Sequence, residues 1–377
     1  MKLAILCTMM KRFGMKGFYN SQEIGLGRAL AEMGHTVVIY KGVKDRKQVE
    51  TVQLGERLTV RYMFMPYFGA HGWMRTGLLD RDLDGLFCFA DQQIFLPHVA
   101  AWCRRNGVVF VPYVGTTYSL YVNTLRGKVM DTAFACTTLR LYRKIPILAK
   151  TEAAKKELEN LGVDGSLISL APVGLDTGVL KQDFLSADRA ALRRELGFEE
   201  DDVILCNVAR LEEDKRPLDL LKVFMDVRGK KKFRLLMVGK GALRQAVDEK
   251  IAEYGIEKEV TILPRVPYTE MWKIYTVSDY YLNLSEVEIF GMAIMEAMYY
   301  RCSVAARRAI GPSLTLKGMR GHKLCDSDAE IEDWITGPYP PEEELAESAE
   351  KIVTDFSWRP CAKAFIQQIE AQRAQRG

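Results

Sequence analysis

The stretch SEVEIFGMAIMEAMYY, residues 285–300, places two glutamates eight residues apart, Glu288 and Glu296, with Phe290 and Gly291 just inside the first. The apolar and aromatic residues before the stretch predict a β-strand, and the residues after Phe290 predict a helix. Small and apolar side chains fall near one face of that helix, which can therefore pack on a sheet. The stretch thus predicts a strand, a turn and a helix of an α/β domain.

The spacing of the two glutamates sets what this helix could bind. Eight residues of helix rise about 12 Å, which is long enough to hold two ends of one extended, polyhydroxylated ligand. Gly291 lets a ligand approach the backbone, and the free N–H groups of a helix start favour anionic oxygens. The stretch is therefore suited to a sugar linked through phosphate to a ribose. A pair of glutamates on a helix is also typical of a solvated face, so the neighbouring motifs must decide between the two.

Length and composition favour a globular protein of two domains. The chain has 377 residues, enough for two domains of about 180 residues each. Hydrophobic residues make up 48% and charged residues 27%, so each half can bury a core. A net charge of +4 does not argue for nucleic acid, and no nucleic-acid partner is predicted. No run of 18 apolar residues is present, which excludes a spanning helix, and the apolar N-terminus is interpreted as a buried first strand.

The cysteines indicate a reducing compartment. They show no C-x-x-C spacing and no nearby histidine, and most lie in apolar, strand-like runs. We therefore predict buried, reduced thiols in a cytoplasmic protein, with neither a disulfide framework nor a zinc site. The eight positions are Cys7, Cys88, Cys103, Cys136, Cys206, Cys302, Cys325 and Cys361.

Short apolar runs alternate with helical stretches, and the alternation restarts after a hinge near residues 174–180. Continuous apolar runs indicate parallel strands covered on both faces. The rhythm predicts an α/β protein of two Rossmann-like doubly wound domains with an interdomain cleft. In the first half the predicted strands are 2–7, 36–41, 58–65, 86–90, 108–114, 146–150 and 166–171, between helices such as 21–33 and 151–161. In the second half they are 203–209, 233–238, 259–263, 280–284, 303–307 and 322–325, with helices at 217–227, 242–254, 269–277 and 290–300.

A cationic motif follows the first predicted strand of the second half. In VARLEEDK, residues 208–215, Arg210 stands at the strand end and Lys215 precedes a helix. Arginine binds phosphate through paired hydrogen bonds and lysine adds a point charge, so the two are suited to a diphosphate leaving group. The alternative is a charged surface loop in which both cations pair with neighbouring acids. Glu288, Gly239 and the loop of Gly14 and Gly17 also lie just past predicted strand ends. Ligands of doubly wound sheets bind beyond the carboxyl ends of the strands.

Two glycine motifs also follow predicted strands. Gly239-Lys240-Gly241 closes one strand, and Gly14 and Gly17 lie in a loop between the first strand and a helix. Backbone amides at such glycines can approach a phosphate or a sugar, although a close turn explains them as well. The third glycine of a dinucleotide fingerprint is replaced by an arginine and no P-loop is present, so an NAD-dependent enzyme is disfavoured.

The acidic turn DRDLD, residues 80–84, contains D-x-D twice and could hold a divalent metal. An arginine sits between two of the acids and no phosphate-binding glycine loop adjoins, so we interpret it as a solvated turn and predict no metal. The four histidines are isolated, and no Ser-His-Asp or Cys-His arrangement is supported. His71 lies in a glycine- and aromatic-rich stretch, 67–73, that could line an acceptor pocket.

Basic and aromatic residues cluster in the first half, at Lys11, Arg12 and Lys16 and in LRLYRK, residues 139–144. Such a cluster is compatible with a membrane surface or a polyanionic acceptor, but an ordinary solvated face has the same composition. A peripheral membrane contact therefore stays open.

Five motifs in this order and spacing resemble the GT-B glycosyltransferases, and most closely the retaining group 1 enzymes of family 4. They are the E-x7-E pair with Phe290-Gly291, VARLEEDK, Gly239-Lys240-Gly241, APVGLD at residues 171–176 and Phe356-Ser357-Trp358. The resemblance covers almost the whole chain. It implies an acceptor-side domain of residues 1–174, a nucleotide-sugar domain of residues 175–355, and a C-terminal helix within residues 356–377 that crosses back to the first domain.

The resemblance also implies a role for each candidate residue. Arg210 and Lys215 would hold the diphosphate. Glu296 would accept the ribose hydroxyls, and Glu288 would face the transferred sugar. We expect no metal and no cofactor besides a nucleoside-diphosphate sugar, which is the donor substrate. Further donor contacts would come from Gly17, Gly239, Arg265, Val266, Phe290, Gly291 and Met292.

Two positions depart from the family pattern. A histidine often follows the fifth strand of the first domain, beside the transferred sugar, whereas this chain has Thr116 and Thr117 there. Either threonine could hydrogen-bond the sugar on the acceptor side, but neither can act as a comparable base. The glycine-rich region at Gly311-Pro312 lacks the usual following glutamate and continues with Ser313.

The resemblance implies a retaining glycosyltransferase that moves a sugar from a nucleoside diphosphate to a hydroxyl of a glycan or lipid-linked acceptor. Bacterial glycan or envelope polysaccharide synthesis is the expected setting, in the cytoplasm and at most peripheral at the inner face of the membrane. The alternative is a catalytically silent GT-B subunit that binds a partner or a glycan, which the missing histidine supports.

Overall fold

The computed structural model of the chain describes residues 1–11, 16, 21–117 and 124–374. It divides into a first unit, residues 1–178 together with 357–377, and a second unit, residues 179–356. The boundary between the two units, after residue 178, lies four residues beyond the predicted end of the first domain at residue 174. The reason is that Leu175 forms a β-bridge with Ser357, and Asp176 pairs with Arg28 at 3.2 Å, so both belong to the first unit.

The first unit is built on an eight-stranded sheet in the order β10-β9-β8-β7-β1-β2-β4-β3. All neighbouring strands are parallel except β3, which pairs antiparallel with β4. A separate two-stranded hairpin, β5 with β6, follows β4. The strands are β1 (Lys2–Cys7), β2 (Thr36–Val43), β3 (Glu50–Gly55), β4 (Leu58–Phe64), β5 (Tyr67–Phe68), β6 (His71–Gly72), β7 (Gly85–Phe89), β8 (Val109–Val114), β9 (Ile147–Ala149) and β10 (Ile168–Leu170).

The C-terminal helix packs within the first unit, against its first helix and against β8. Trp358 opens this helix and is fully buried, and two glycines make room for it. A Cβ atom at Gly25 would lie 2.4 Å from the indole Nε1, and one at Gly174 would lie 2.3 Å from the Trp358 backbone nitrogen. The helices of this unit are α1 (Gln22–Glu32), α2 (Leu96–Arg105), α3 (Leu125–Cys136), α4 (Thr138–Tyr142), α5 (Glu152–Asn160) and α14 (Trp358–Ala374).

The second unit is built on a six-stranded, all-parallel sheet in the order β13-β12-β11-β14-β15-β16. The strand order reverses between β11 and β14, and this topological switch point is where the ligand crevice of an open α/β sheet forms. The strands are β11 (Val203–Val208), β12 (Phe233–Val238), β13 (Val260–Leu263), β14 (Tyr280–Asn283), β15 (Ser303–Arg307) and β16 (Lys323–Cys325).

Helices connect the parallel strands of the second unit, as the βαβ rhythm predicts. Apolar side chains of three of these helices, among them Leu220, Val247 and Ile331, pack with the buried strands into one continuous core. The predicted α/β architecture of two doubly wound domains is therefore confirmed. The helices are α6 (Arg189–Glu195), α7 (Pro217–Val227), α8 (Arg244–Tyr254), α9 (Met271–Val277), α10 (Met292–Tyr299), α11 (Ile310–Thr315), α12 (Asp328–Thr336) and α13 (Glu342–Asp355).

The eight cysteines are all free thiols, as predicted, and seven of them are buried. Cys136 is the exception, because it ends α3 on an exposed side. Across the part of the chain that the structure describes, none of the helices is both long and apolar enough to cross a bilayer.

Candidate functional site

The switch point of the second unit brings together two of the predicted site residues. Lys215 lies in the loop after β11, and Glu288 lies in the loop after β14, the neighbouring strand. The Lys215 ammonium donates to Glu288 Oε2 at 2.7 Å, although 73 residues separate the two in sequence. Their side chains are 17% and 20% exposed, so the contact is half-buried and still open to a ligand.

The backbone around α10 fixes the Glu288 carboxylate. The N–H of Gly291, in a left-handed conformation with φ of 83°, donates to Glu288 Oε1 at 3.1 Å. The Glu288 carbonyl accepts from the N–H of Gly311 at 2.8 Å. Gly311 has to be glycine here, because a Cβ atom would lie 2.6 Å from the Phe290 carbonyl carbon. Gly311 thus serves to hold the Glu288 loop against the start of α11.

The three predicted backbone contacts at the start of α10 have different surroundings. The Gly291 amide is already used by Glu288, so a phosphate would have to share it. Phe290 is buried, and Met292 is half-buried at the first position of the helix. The amides at this helix start still carry the positive end of the α10 dipole, which favours an anionic ligand.

Arg210 lies in the same loop as Lys215 but makes a different contact. Its guanidinium donates to the Asp214 carboxylate at 2.8 and 3.1 Å, and its side chain is 55% exposed. Asp214 also lies 3.9 Å from the Lys215 ammonium. Asp214 therefore links the two cations, and the pairing with a neighbouring acid that the sequence left open is present in the structure.

Gly239 is required by the close approach of two loops. A Cβ atom there would lie 1.8 Å from the Ala209 carbonyl oxygen, and one at Gly241 would lie 2.2 Å from the Leu211 carbonyl oxygen. The N–H of Leu211 donates to the Lys240 carbonyl at 3.1 Å. The glycine motif after β12 therefore supports the loop that carries Arg210, and its predicted contact with the donor stays a prediction.

Arg265 and Val266 lie in the loop after β13, at the outer edge of the second sheet. Arg265 is exposed and Val266 is half-buried. The loop leads directly to Tyr268, which opens a short turn before α9. The predicted contact of this loop with the donor stays a prediction.

Glu296 lies deeper than its predicted role requires. It is 1% exposed, and Oε2 accepts a hydrogen bond from the Tyr275 hydroxyl at 2.8 Å. Burial raises the pKa of Glu296 to about 7, while the hydroxyls of Tyr275 and Tyr268 act in the opposite direction. Glu296 would therefore accept ribose hydroxyls directly only after the side chains that bury it had moved away. The sequence did not single out either tyrosine, because an isolated tyrosine carries no spacing signal.

The first unit gathers polar groups at the carboxyl ends of β7, β8 and β9. Asp91 forms a largely buried ion pair with Lys150 and accepts hydrogen bonds from the N–H of Gly115 at 2.5 Å and of Thr116 at 3.2 Å. Thr117 is 4% exposed, and its hydroxyl donates to Glu157. Thr116 thus contributes its amide to this cluster, and the Thr117 hydroxyl is already committed.

The other first-unit candidates lie apart from this cluster or outside the described residues. His71 is buried in the β5–β6 hairpin, and burial lowers the pKa of its imidazole to about 4, so the ring is neutral at physiological pH. Gly17 lies outside the described residues. In the acidic turn, residues 80–84, Asp80 forms ion pairs with Arg61 at 2.6 Å and with Lys2 at 2.9 Å. Within the described ranges no cluster of three or more His, Cys, Asp or Glu side chains is placed to hold a metal.

Comparison with known families gives a match over part of the chain. Residues 188–322 match the family described as glycosyl transferases group 1. The matched range contains Lys215, Glu288 and Glu296 together with the strands that carry them. The range covers most of the second unit.

Several curated relatives are named D-inositol 3-phosphate glycosyltransferase. One from Segniliparus rotundus is 28% identical over 186 residues, which are 46% of this chain and 40% of the relative. One from Stackebrandtia nassauensis is 25% identical over 386 residues, which are 92% of this chain and 84% of the relative. For four relatives of this name, the chain spans only 40% to 51% of the relative's length.

Among solved structures, Anabaena HepE in complex with UDP superposes on this chain with a TM-score of 0.69. The superposition covers all of both chains at 16% sequence identity. Identity this low speaks for the fold alone, and the shared fold is GT-B, as the sequence motifs predicted.

Proposed function

We propose that the chain is a retaining glycosyltransferase, a proposal supported by the match of residues 188–322 to the group 1 glycosyltransferases. It transfers a sugar from a nucleoside diphosphate to an acceptor hydroxyl. The observation that carries the proposal is the 2.7 Å contact between Lys215 and Glu288 where the strand order reverses. A cation and a carboxylate held together at a switch point suit a ligand that carries both a diphosphate and a polyhydroxylated sugar.

The diphosphate is the leaving group, so its developing charge is what the site must stabilise. The bond from the sugar C1 to the diphosphate oxygen breaks, and C1 bonds to the acceptor oxygen on the same face through an oxocarbenium-like state. The acceptor proton passes to the departing phosphate oxygen, so no protein base is required. Lys215, Arg210 and the N–H groups at the start of α10 stabilise the departing charge, which is the term expected to dominate catalysis.

Arg210 can take up this role at small cost. Its ion pair with Asp214 is more than half exposed on the arginine side, and exposed pairs contribute only about 0–1 kcal/mol. A diphosphate offers the same paired acceptor geometry with more charge, so the guanidinium would exchange Asp214 for the ligand. Lys215 is less exposed and is held by Glu288, and we propose that this carboxylate faces the transferred sugar.

The acceptor is proposed to be a glycan or a lipid-linked sugar in bacterial envelope or polysaccharide synthesis. Exposed basic side chains on the first unit, at Lys11, Arg140 and Lys144, support an anionic acceptor or a peripheral contact with an anionic membrane surface. Arg12, another basic residue of the predicted cluster, lies outside the described residues. The eight free thiols suit the cytoplasm, where nucleotide sugars are used. Transfer is proposed to need no metal and no further cofactor.

A second candidate function rests on the first unit. Thr116 and Thr117 stand where related enzymes often have a histidine, and the Thr117 hydroxyl is committed to Glu157. A catalytically silent GT-B subunit that binds a partner or a glycan would tolerate such a loss. Hydrolysis or transfer of the donor by the purified chain separates the two candidates.

The proposal is tested first by ligand-dependent thermal stability. The purified chain is heated with UDP, GDP, ADP and their sugars, and one nucleotide series should raise the melting temperature. A ligand at 100 times its Kd contributes about 2.7 kcal/mol, which is a shift of several degrees for a chain of this size. A melting temperature unmoved by all three series would reject nucleotide-sugar binding.

Turnover is then measured with the stabilising donor by release of the nucleoside diphosphate, and the product anomer is assigned by NMR. Retention of the donor's anomeric configuration supports the proposal, and inversion contradicts it. Nucleotide binding without release of the diphosphate in the presence of an acceptor extract favours the silent subunit.

A further inference from the structure

Arg216, the residue after Lys215, has a backbone conformation that few side chains adopt. Its φ of 52° and ψ of 49° lie in the left-handed region, which costs about 1–2 kcal/mol for a residue with a Cβ atom. Among the described residues, only Gln92 and Arg301 share a positive φ without being glycine. Glycine would take this conformation freely, so the arginine side chain must offset the cost.

The Arg216 guanidinium contacts three acids from three segments. It donates to Asp219 at 2.9 Å, to Glu286 at 3.1 Å and to Asp328 at 3.1 Å. A further contact of 3.4 Å reaches the carbonyl of Leu284, the residue after β14. All of its nitrogens therefore face acceptors, which suits the fixed fork of an arginine better than it would suit a lysine.

A second arginine closes these contacts into a ring. Arg307, the last residue of β15, donates to the same Glu286 oxygen at 2.6 Å and lies 3.6 Å from Asp328. Arg216, Glu286, Arg307 and Asp328 thus form a charge ring in which each residue contacts two of opposite sign. The exposed fractions run from 16% at Arg307 to 53% at Glu286, so the ring is partly shielded from water. Networks of this kind contribute more than isolated surface pairs.

The charge ring connects the two loops that meet in the site. Arg216 is the neighbour of Lys215 in the loop after β11, and Glu286 stands two residues before Glu288 in the loop after β14. Arg307 and Asp328 anchor both loops to β15 and to the start of α12. The ring can therefore set the separation between the Lys215 ammonium and the Glu288 carboxylate without touching a substrate.

We propose that Arg216 is a positioning residue that holds the Lys215 and Glu288 loops in register for the transfer step. This inference rests on the proposed function, because it assigns Lys215 and Glu288 to the donor. A displacement of about 1 Å in such a pair costs up to about 100-fold in rate, whereas the diphosphate can still be bound by Arg210 and the backbone amides.

Arg216→Gly is the decisive variant, because glycine keeps the left-handed backbone and removes the guanidinium with its contacts to the ring, to Asp219 and to the Leu284 carbonyl. We expect kcat to fall about 10- to 100-fold while the donor KM stays within about threefold and the melting temperature within a few degrees. Glu286→Gln opens the same ring from its exposed side and should give the same pattern. Because both variants open one ring, the double variant should be no worse than the more impaired single variant.

Arg228→Ala is the matched control. Arg228 forms a paired contact with Glu259 at 2.9 and 2.5 Å in the same unit, at the opposite, amino-terminal end of β12, and its loss should leave kcat unchanged. Wild-type kcat in Arg216→Gly, or multiplicative losses in the double variant, would overturn the proposal. Should Arg216→Gly fail to fold, Glu286→Gln decides the question alone.

Failure of the proposed function is distinguished by a readout that needs no turnover. Amide hydrogen exchange over residues 285–291 should be faster in Arg216→Gly than in the wild type, and unchanged in Arg228→Ala. Unchanged exchange in Arg216→Gly overturns the positioning role. Faster exchange in a chain that neither binds nor turns over any donor would instead overturn the proposed function and leave the ring's structural role standing.

Discussion

The ammonium of Lys215 and the carboxylate of Glu288 meet at 2.7 Å across the point where the strand order of the second sheet reverses. The pair is half-buried, so both partners remain within reach of a ligand. Asp214, 3.9 Å from the same ammonium, extends the contact to Arg210.

Lys215→Ala and Arg210→Ala should each lower kcat by about 100-fold or more, because each removes a charge that stabilises the departing diphosphate. The measurement is steady-state release of the nucleoside diphosphate by variants of equal melting temperature. Lys222→Ala, which removes an exposed charge from α7, is the control and should keep wild-type turnover. Full activity in either site variant would reject its assigned role.

Glu288→Gln should affect turnover and nucleotide binding in opposite directions. The amide keeps the shape of the side chain and the acceptor for the Gly291 N–H, but it removes the charge that competes with a diphosphate for Lys215. We expect kcat to fall by at least about tenfold and the Kd of the nucleoside diphosphate to stay equal or decrease. Calorimetric titration of the diphosphate gives the Kd, and a clearly weaker affinity would contradict the arrangement.

Stability should fall with rising pH through the titration of Glu296. Its pKa is about 7 in the folded chain, whereas an ordinary glutamate has a pKa near 4.5, so between these pH values the folded state holds a proton that the unfolded state has released. The stabilising contribution is therefore complete below about pH 4.5 and is lost as the pH rises through 7, by up to about 3 kcal/mol.

The check is the melting temperature of the wild type and of Glu296→Gln between pH 5 and pH 8. The glutamine side chain cannot ionise, so the decrease across this range should be smaller in the variant. Parallel curves would show that Glu296 does not titrate in this window.

Gly239→Ala should impair both stability and turnover. The added Cβ atom would lie 1.8 Å from the Ala209 carbonyl oxygen, so the two loops must separate and the Arg210 loop must shift. We expect a loss of about 1–3 kcal/mol and a lower kcat. Gly77→Ala is the control, because a Cβ atom there has open space within 4 Å. A Gly239→Ala variant as stable and active as the wild type would show that the loops adapt freely.

The sequence predicted buried elements well and exposed or pairwise features poorly. The bounds of β1, β12 and β15 agree with the predicted ones, because each is a short apolar run that is covered on both faces. Strand β3 was missed, since nearly all of its residues are exposed and carry no apolar pattern. Each strand of the β5–β6 hairpin is only two residues long, which is too short to give a periodic signal.

Within the site, the sequence could predict which residues follow strand ends but not which atoms they contact. The position of Glu288 follows from the strand before it, whereas its contact with Lys215 depends on strand order. The Arg216 contacts with Glu286 and Asp328 span 70 and 112 residues of sequence. The contact of Glu296 was equally hidden, because the Tyr275 hydroxyl that donates to it lies on another helix.

Gly25 and Gly174 leave a slot that Trp358 fills. Residues 1–178 and residues 357–377 therefore need each other to complete the fold of the first unit. A fragment ending at residue 178 would expose this apolar slot and should aggregate, whereas the same fragment joined by a linker to residues 357–377 should refold. The second unit, residues 179–356, is a single continuous segment and could be excised or replaced as a cassette. Under the proposed function the donor site lies in this segment, so grafting one uninterrupted piece of gene should exchange donor preference between relatives.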